Sequence, residues 1–376
     1  MKQPIYLDHN ATTPIDREVL EKMLPYLNQS SGNASSNSPV GRKNREAISK
    51  AREEVAALIG ADPAEISFTS GGTESNNHAI RGVALANQGK GKHIITSAIE
   101  HPAVTKVCNY LSTLGWEISY LPVNRYGSVN PDDVLSTIRP DTSLITIMHA
   151  NNEVGTIQPL HEIGAIAKEN GILFHTDAAQ SVGKTETNVN KLGVDLLTIA
   201  GHKLYAPKGI GALYIRKGTR VENLMHGASQ EDGVRPGTEN VPSIVALGKA
   251  CQIAARDFVK NIKTMQSAKS RLLIGLKTAL GDRLELNSPS KNCLPNTLSL
   301  AIKGLEAHEL VSSLEEELSI SAGSACHADT IAISAVLKAM KIEKLAAVGT
   351  VRISTGKHTT FDEIDLAAKL ISAAVQ

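Results

Sequence analysis

In two segments of the chain, an apolar run is followed by a residue that could take part in amine chemistry or proton transfer. The run Ile172–Phe174 leads through His175 to Asp177. A second run, Leu196–Ile199, leads through a short polar stretch to Lys203. A lysine can form a Schiff base with an aldehyde, and a nearby carboxylate can hold a positive charge on a heterocyclic nitrogen. The alternative is that Asp177 caps a helix and that Lys203 is a solvated surface residue.

Two further strand-like runs lead into groups that suit a phosphate and a planar ring. The run Glu65–Thr69 continues into Gly71, Gly72 and Thr73 before a helical pattern begins. Glycines allow a ligand to approach the backbone, and a helix N-terminus with a threonine hydroxyl suits an anion. His101 follows another strand-like run, where an imidazole could stack on a ring and transfer protons. The alternatives are a plain turn with a threonine N-cap and a histidine at a helix entry.

Asn152 and His202 add two polar groups at the same kind of position. Asn152 follows the strand-like run Leu144–His149 and could either bond a phenolic oxygen or cap its turn. His202 precedes Lys203 and could contact a phosphate, or both could belong to a solvated basic loop. In an open parallel sheet, the C-terminal ends of the strands face one crevice, where ligands bind. Together these groups predict a site for pyridoxal phosphate (PLP), which needs a lysine and an acid beside its pyridine nitrogen.

Cys326 is a candidate nucleophile far from the other groups in sequence. It lies in the segment 319–329, SISAGSACHAD, between a strand-like piece and a helical pattern. Small neighbours leave the thiol accessible, and His327 could lower its pKa and so favour the reactive thiolate. The segment is therefore predicted to be a mobile loop that carries a nucleophile. The alternative is a cysteine without a role in a flexible loop.

Composition excludes several classes of function. With 39 Lys+Arg against 38 Asp+Glu, the chain shows no sign of a nucleic-acid-binding or membrane-binding surface. The N-terminus lacks a secretory signal pattern, and no apolar run approaches membrane-spanning length. The four cysteines are far apart and form no CxxC pair, so neither a metal site nor a disulfide framework is expected. We therefore expect a cytoplasmic protein.

At 376 residues the chain is long enough for two lobes. Between about 65 and 218, strand-like and helical patterns alternate, which predicts a mostly parallel sheet covered by helices on both faces. The strand-like runs are Glu65–Thr69, His93–Ile99, Glu117–Pro122, Leu144–His149, Ile172–His175, Leu196–Ile199 and Ile210–Ile215. The region 242–280 is predicted to be a long helix-prone region that could bridge the lobes. After 282, short strands mix with helices, which predicts a smaller α+β lobe.

Taken together, these segments resemble the PLP-dependent cysteine desulfurases of the class V aminotransferase group. The resemblance covers nearly the whole chain, in order and in spacing. The segments that carry it are YLDHNATTP (6–14), GNASS (32–36), TSGGTESNN (69–77), EHPAV (100–104), NNEVG (151–155), HTDAAQ (175–180), GHKLYAPKGIG (201–211), RPGTENVP (235–242) and SAGSAC (321–326).

The resemblance implies an α/β protein of the PLP-dependent transferase fold type I. Its large domain would hold a mostly parallel seven-stranded sheet, and a smaller α+β domain would accompany it. The boundaries implied are 16–255 for the large PLP-binding domain, with 1–15 and 256–376 forming the small domain that carries the catalytic cysteine.

Roles for individual residues are implied in the same way. Lys203 should hold PLP as a Schiff base, Asp177 should pair with the pyridine nitrogen, and His101 should stack over the ring and act as an acid or base. The other implied cofactor-binding residues are Gly72, Thr73 and His202 on the phosphate side, Asn152 and Gln180 at the phenolic oxygen, and Thr238 from the partner subunit of a homodimer. The implied substrate-binding residues are Asn33 and Arg352, of which Arg352 would bind the substrate carboxylate by a bidentate pair.

The reaction implied is the conversion of L-cysteine to L-alanine, in which Lys203 removes the Cα proton and the Cys326 thiolate attacks the substrate sulfur. The resulting persulfide would supply a sulfur-acceptor protein, either an iron–sulfur scaffold or a thiolation protein. The alternatives are a selenocysteine lyase, a PLP aminotransferase or β-lyase that uses no cysteine, and a non-catalytic sulfur-relay or scaffold protein. The sequence departs from the group at Ala200, where a serine usually binds the phosphate. The residues 327–329 that follow the cysteine are similar to those of selenocysteine lyases.

Overall fold

A computed structural model describes residues 4–327 and 330–375 of the chain, and for 324–327 and 330–332 it describes the backbone alone. The strands are β1 Ile5–Tyr6, β2 Ile66–Thr69, β3 His93–Ser97, β4 Glu117–Leu121, β5 Thr142–Thr146, β6 Leu173–Asp177, β7 Leu196–Ala200, β8 Gly211–Ile215, β9 Leu284–Leu286, β10 Thr297–Ile302, β11 Leu318–Ser319, β12 Ser321–Ala322, β13 Ser324–His327, β14 Thr330–Ile333 and β15 Thr350–Ser354. The helices are α1 Arg17–Asn28, α2 Pro39–Ile59, α3 Gly72–Asn87, α4 Pro102–Thr113, α5 Pro131–Thr137, α6 Leu160–Glu169, α7 Val189–Leu192, α8 Val241–Arg256, α9 Phe258–Leu280, α10 Ala307–Ser313, α11 Ala335–Ala339, α12 Lys344–Val348 and α13 Phe361–Val375.

The largest sheet in the described part of the chain has seven strands in the order β2-β8-β7-β6-β5-β3-β4. Strands β3 to β7 pair in parallel, whereas β8 runs antiparallel to both β2 and β7. Every strand of this sheet except β8 therefore ends at the same edge. The predicted mostly parallel seven-stranded sheet is confirmed, and its strand-like runs correspond to β2 through β8.

The burial of this sheet explains why the sequences of its strands are continuous apolar runs. Ile145, Phe174 and Leu197, on three neighbouring strands, are completely buried. A parallel sheet with helices on both faces buries both sets of side chains, so its strands lack the alternation of a half-exposed sheet. The burial holds the strand ends rigidly at one edge, which is where the polar residues follow.

A smaller sheet of four strands, among the described residues, has the order β12-β15-β10-β9 and is antiparallel. Its buried core includes Leu272 on α9, Leu300 on β10 and Ile371 on α13. The N-terminal strand β1 pairs in parallel with β11 nearby, and Leu7 joins this same core. The short strands β9 and β12 were not predicted from the sequence.

The helix-prone region 242–280 is helical in the structure, where two helices cover it. Helix α8 ends at Arg256, and α9 begins at Phe258 after a turn at Asp257. Leu247 of α8 is buried in the core of the large sheet, whereas Leu272 of α9 is buried in the core of the small sheet. A break lets each helix turn its apolar face toward a different core.

The backbone around Cys326 is also different from the predicted loop. It forms strand β13, which pairs antiparallel with β14 so that Cys326 faces Ile331. Small residues do not prevent a strand when a second strand satisfies their backbone hydrogen bonds. The side chains of Cys326 and His327 lie outside what the structure describes, as do residues 328 and 329, so the predicted accessibility of the thiol stays a prediction.

Within the described residues, no helix has the length and apolar character needed to cross a bilayer.

Candidate active site

A cavity of about 790 Å³ opens at the edge where the parallel strands end. Its walls come from the residues that follow β2, β3, β5, β6 and β7, from the N-terminal segment 10–12 and from β15. Strand ends distant in sequence therefore meet in one crevice. The residues singled out from the sequence that line it are Gly72, Thr73, His101, Asn152, Asp177, Gln180, His202, Lys203 and Arg352.

Asp177 is the last residue of β6 and is held by two hydrogen bonds. The side-chain amide of Asn76 donates to one carboxylate oxygen at 2.7 Å, and the backbone N–H of Ala179 donates to the other at 2.9 Å. Asn76 lies one helical turn after Gly72 on α3, so the helix that begins beside the sheet orients the acid. The carboxylate is buried and fixed, and it can accept a proton or hold a cationic nitrogen in the cavity.

Lys203 lies in a short 3₁₀ turn, Gly201–Lys203, that follows β7. Its Nζ donates to the carbonyl oxygen of Ala11 at 2.6 Å and also to that of Asn10. Burial lowers the pKa of Lys203 to about 8; Arg352 lowers it further, while Asp8 and Asp177 oppose the shift. A much larger share of this amine is therefore neutral near pH 8 than of an ordinary lysine, and a neutral amine can attack a carbonyl or take a proton.

The N-terminus of α3 forms the end of the cavity that suits an anion. Gly71 has φ 150 and ψ −178, a conformation open to glycine, and no side chain within the described residues caps the helix. A Cβ atom on Gly72 would lie 3.2 Å from the Cβ of Ala200, so the first turn packs closely on the end of β7. The exposed N–H groups of this turn, with the Thr73 hydroxyl, give the site that phosphates favour.

His202 and His101 border this end of the cavity as neutral imidazoles. Burial, with Lys203 next in effect, lowers the pKa of His202 to about 4, and its Nδ1 lies 3.2 Å from the hydroxyl of Thr12. Nδ1 of His101 accepts the backbone N–H of Ala103 at 3.1 Å, which caps α4. Burial lowers the pKa of His101, and Asp177 opposes that shift. Because Nδ1 of His101 is an acceptor, the proton of its neutral ring lies on Nε2.

Asn10 connects three of the predicted residues. Its backbone carbonyl accepts from Lys203 and also from Nε2 of Gln180 at 2.9 Å. Its side-chain amide donates to the carbonyl of Asn152 at 3.0 Å and to the hydroxyl of Thr297 at 2.8 Å. Asn10 is 1% exposed, so its bonds tie the N-terminal segment to the large sheet and to β10 of the small sheet.

Arg352 lies on β15 of the small sheet and lines the cavity together with the large-sheet residues. Its Nη2 donates to Asp8 at 2.6 Å and to the hydroxyl of Ser321 at 2.8 Å, and its Nη1 donates to the carbonyl of Asn152 at 3.3 Å. Nε is buried and has no partner among the described residues. Both N–H groups of Nη2 are thus in use and one N–H of Nη1 is left, so the guanidinium offers its charge and one donor to a carboxylate ligand.

Three predicted residues are not brought into this cavity by the described part of the chain. Asn33 is exposed, and its side chain accepts the backbone N–H of Ser35 at 2.8 Å. Thr238 lies in a separate depression that it shares with Ser70 and Arg235. The side chain of Cys326 is not described. The predicted roles of these three residues stay predictions.

Sequence reasoning missed several residues that hold the site together. They are Asp8, Asn10, Asn76, Glu100 and Lys184. The signal for Asp8 and Asn10 was their place in the conspicuous segment 6–14, and Asn76 is one helical turn from Gly72. Glu100 precedes His101; its carboxylate accepts from Ser97 at 2.5 Å and from the N–H of Met148 at 2.9 Å, and burial raises its pKa to about 8. Nothing in the sequence marked Lys184.

Comparison with known proteins places this geometry in a family. The sequence model of the Aminotransferase class-V family matches residues 5–366. The chain belongs to the class-V aminotransferase family. It is 47% identical to a cysteine desulfurase IscS of Dictyoglomus turgidum, over 100% of this chain and 95% of that protein. It is 45% identical to a cysteine desulfurase IscS of Methanosarcina thermophila, over 99% of this chain and 92% of that protein.

Solved structures in the same family share the fold. A NifS-like protein superposes with a TM-score of 0.93 at 37% identity, covering 99% of both chains. SspA in complex with cysteine superposes with a TM-score of 0.83 at 38% identity, covering 96% of this chain and 100% of that one. The confirmed fold is thus that of the NifS-like cysteine desulfurases, which are PLP-dependent enzymes of fold type I.

The residues of the cavity fit PLP on their own chemistry. The uncapped N-terminus of α3 suits the phosphate, and the fixed carboxylate of Asp177 suits a protonated pyridine nitrogen. Lys203, with its lowered pKa, suits the aldehyde carbon. An anion site, an acid and an amine on one cavity wall match the three polar ends of this cofactor.

Proposed function

We propose that this protein is a cysteine desulfurase that uses PLP to convert L-cysteine to L-alanine and retains the sulfur as a persulfide on Cys326. The observation that carries the proposal is the meeting of Lys203, Asp177 and Arg352 in one cavity of a chain that resembles cysteine desulfurases over its full length. A lysine, an acid and a carboxylate-binding arginine are the groups that an amino acid and this cofactor need together.

The positions of the residues along the cavity support the following cofactor contacts. The first turn of α3, with Thr73 and His202, would hold the phosphate, and Asp177 would accept a hydrogen bond from the pyridine nitrogen. Asn152 and Gln180 would contact the phenolic oxygen, and His101 would cover the ring. When bound, PLP draws electrons from the Cα of an attached amino acid, which makes the Cα proton acidic.

Substrate binding and proton removal belong to Arg352 and Lys203. The positive charge of Arg352 and its remaining Nη1 N–H would bind the substrate carboxylate, while Asp8 and Ser321 keep the guanidinium in place. Lys203, neutral in part near pH 8, would then take the Cα proton on Nζ. His101, neutral and with its proton on Nε2, can donate a proton inside the cavity.

The sulfur step requires the thiolate of Cys326 as nucleophile. Its sulfur attacks the sulfur of the substrate, so an S–S bond forms while the C–S bond of cysteine breaks. The carbon fragment takes a proton and leaves as L-alanine. The product on the enzyme is a persulfide, so one cysteine yields one alanine and one sulfane sulfur, with no external oxidant or reductant.

The assembly around this site is part of the same proposal. Residues 16–255 would form the large domain, and 1–15 with 256–376 would form the small domain that brings Arg352 and Cys326 to the cavity. The active form would be a homodimer in which Thr238 of each subunit reaches the phosphate of the other. The persulfide would pass to a sulfur-acceptor protein, either an iron–sulfur scaffold or a thiolation protein.

The proposal is tested by product analysis with purified enzyme and PLP. We expect equimolar alanine and sulfane sulfur from L-cysteine, and an absorbance band of bound PLP that is lost in Lys203→Ala. L-selenocysteine serves as the parallel substrate. Turnover of selenocysteine with negligible turnover of cysteine would identify a selenocysteine lyase and overturn the proposal. A wild-type protein without a Lys203-dependent band would overturn the PLP chemistry altogether.

A further inference from the structure

A buried lysine that has no role in the scheme above lies directly behind the cavity. Lys184 is in the turn after β6, four residues beyond Gln180, and is 5% exposed. A small adjoining cavity is lined by Lys184 together with the apolar residues Leu204, Ala254 and Met265. Within the described residues its one side-chain hydrogen bond is from Nζ to Oε1 of Gln180, at 3.1 Å.

The surroundings of this lysine do not stabilise its charge. A buried ammonium group is costly unless a carboxylate pairs with it, and here the charged groups that act most strongly on Lys184 are the cations Lys203 and Arg352. Burial, with these two cations adding to it, lowers the pKa of Lys184 to about 7. Lys184 therefore does not stabilise the fold through an ion pair, and its bond to Gln180 is the interaction that remains.

That bond, together with the bond from Gln180 to Asn10, sets which way the amide of Gln180 faces. Oε1 accepts from Lys184, and Nε2 donates to the carbonyl of Asn10 at 2.9 Å. If the amide were turned over, its nitrogen would meet the amine of Lys184 and its oxygen would meet the carbonyl of Asn10, so both contacts would be lost. The amide nitrogen carries a second N–H, and Gln180 lines the cavity.

We propose that Lys184 is a positioning residue that acts through Gln180, so that the amide presents an N–H donor rather than a carbonyl to the phenolic oxygen of bound PLP. The proposal rests on the proposed function for the identity of the cofactor. A donor stabilises the phenolic oxygen as an anion, whereas a carbonyl would repel the anion and favour the protonated phenol. A hydrogen bond from Lys184 to Oε1 also polarises the amide and strengthens its N–H as a donor.

A second buried lysine provides a matched control. Lys357 lines the same small cavity, but its Nζ pairs with Asp16 and lies 4.5 Å from the centre of the Tyr205 ring. It has a conventional ion-pair partner and does not touch Gln180. Lys357→Met removes a buried lysine from the same neighbourhood without changing the orientation of the amide.

The experiment compares Lys184→Met, Gln180→Ala and the double variant, each reconstituted with PLP. Methionine keeps the length and apolar contacts of the lysine and removes the donor. We expect Lys184→Met to weaken PLP binding by about tenfold, and to move absorbance from the long-wavelength band of the anionic phenolate to the shorter-wavelength band of the phenol. In the Gln180→Ala background, the same change should alter PLP affinity by less than about twofold, because the two residues act as one unit.

Two further variants keep the inference falsifiable if Lys184→Met does not fold. Gln180→Glu retains a partner for Lys184 but presents only oxygen to the cofactor, so it should lose the long-wavelength band. Lys184→Arg keeps a donor and should restore part of that band. Lys357→Met should lower the melting temperature and leave the spectrum unchanged.

The outcomes distinguish a failure of this inference from a failure of the proposed function. A wild-type spectrum and affinity in Lys184→Met or in Gln180→Glu would overturn the inference while the proposed function stands. An equally large effect of Lys184→Met in the Gln180→Ala background would also overturn it, since Lys184 would then act by another route. Absence of a Lys203-dependent PLP band in the wild-type protein would instead overturn the proposed function, and with it this inference.

Discussion

The cavity has two walls that are built in different ways. The cofactor wall is formed by residues at the ends of the large-sheet strands, among them Asp177 and Lys203, and the substrate wall is formed by Arg352 and the residues that hold it. On the cofactor wall, Asp177 is held by Asn76 of the adjoining helix and by the N–H of Ala179, all within the large-sheet unit. On the substrate wall, Arg352 is held by Asp8 of the N-terminal segment and by Ser321 of β12. On the cofactor wall the acid is held by the large sheet and its helix alone, although Lys203 and Gln180 also bond to the N-terminal segment at Asn10. The substrate wall needs segments from both ends of the chain.

This difference separates the two parts of the proposed chemistry. The large sheet presents the groups that bind the cofactor and take the proton, and it fixes them by burial. Ser321, which bonds to Arg352, lies five residues before Cys326, so the substrate wall continues directly into the strand that carries the nucleophile. Changes on the first wall should alter cofactor chemistry, and changes on the second should alter substrate binding and sulfur transfer.

The largest expected effect comes from removing the nucleophile. Cys326→Ser should lower sulfane sulfur and alanine formation from L-cysteine by at least about a thousandfold, because a hydroxyl does not attack a sulfur atom as a thiolate does. PLP affinity should stay unchanged, since the proposed role of Cys326 is in sulfur transfer and not in holding the cofactor. Cys293→Ser, which removes a half-buried cysteine that bonds to Lys269, is the control and should retain full turnover. Full-rate alanine formation by Cys326→Ser would instead favour a β-lyase that uses no cysteine.

Removing the acid of the cofactor wall should have the next largest effect. Asp177→Asn keeps the shape of the side chain but cannot hold a proton on the pyridine nitrogen, so kcat should fall by about a hundredfold or more while KM changes little. Single-turnover kinetics would measure this. Asp195→Asn is the matched control: Asp195 is a half-buried aspartate that accepts the N–H of Phe174 at 2.9 Å, outside the cavity. It should reduce stability and leave kcat intact, and an equal loss of kcat in both variants would contradict the assignment.

The lowered pKa of Lys203 predicts the pH dependence of cofactor loading. The neutral amine reacts with the aldehyde, and with a pKa of about 8 half of it is neutral near that pH. An unperturbed lysine, with a pKa of about 10.4, would be less than about 1% neutral there. The rate at which apoenzyme binds PLP covalently should therefore rise with pH and level off above about 8. A rate that continues to rise toward pH 10 would contradict the shift.

On the substrate wall, Asp8→Asn should raise KM for L-cysteine by about tenfold. Asp8 and Arg352 are both largely buried, and Oδ1 of Asp8 lies 2.6 Å from Nη2 of Arg352. The asparagine amide lacks the negative charge that keeps the guanidinium in place. PLP affinity should not change. Asp365→Asn breaks an arginine–aspartate pair of the same 2.6 Å length at the surface, where such pairs contribute little, and should leave KM unaltered. A loss of PLP binding in Asp8→Asn would show that the two walls are not separate.

The sequence was sufficient to predict the main residues of the cofactor wall, because their positions depend on local patterns. Apolar runs ending in polar residues mark the strands of a parallel sheet, and their shared C-terminal edge brought Asp177, Lys203 and His101 together. The position of α9 could not be predicted this way, because a helical pattern over 242–280 does not reveal which of two cores each half faces. The break at Asp257 follows from tertiary packing and not from local propensity.

The substrate wall shows where sequence reasoning stopped. Asn10 bonds to Thr297, and Arg352 bonds to Asp8, across separations of 287 and 344 residues. No sequence periodicity relates residues so far apart. The sequence also does not distinguish an asparagine that bonds to three segments from an asparagine that caps a turn. Lys184 was missed for the same reason, since a lysine is expected at the surface and its burial is decided by the helices that cover it.

The smallest expected effect concerns Ala200, where the resemblance implies a serine. Ala200 is 4% exposed, lines the cavity at the end of β7 and packs against the first turn of α3. Ala200→Ser adds one hydroxyl beside the proposed phosphate, and a single hydrogen bond, worth about 1 kcal/mol, should tighten PLP binding by about fivefold. Ala200→Val adds bulk without a donor and should weaken it, because a Cβ on Gly72 would already lie 3.2 Å from this residue. Equilibrium titration of apoenzyme with PLP measures both. If serine and valine shifted the affinity in the same direction, volume rather than hydrogen bonding would control this end of the wall, and the phosphate would lie elsewhere.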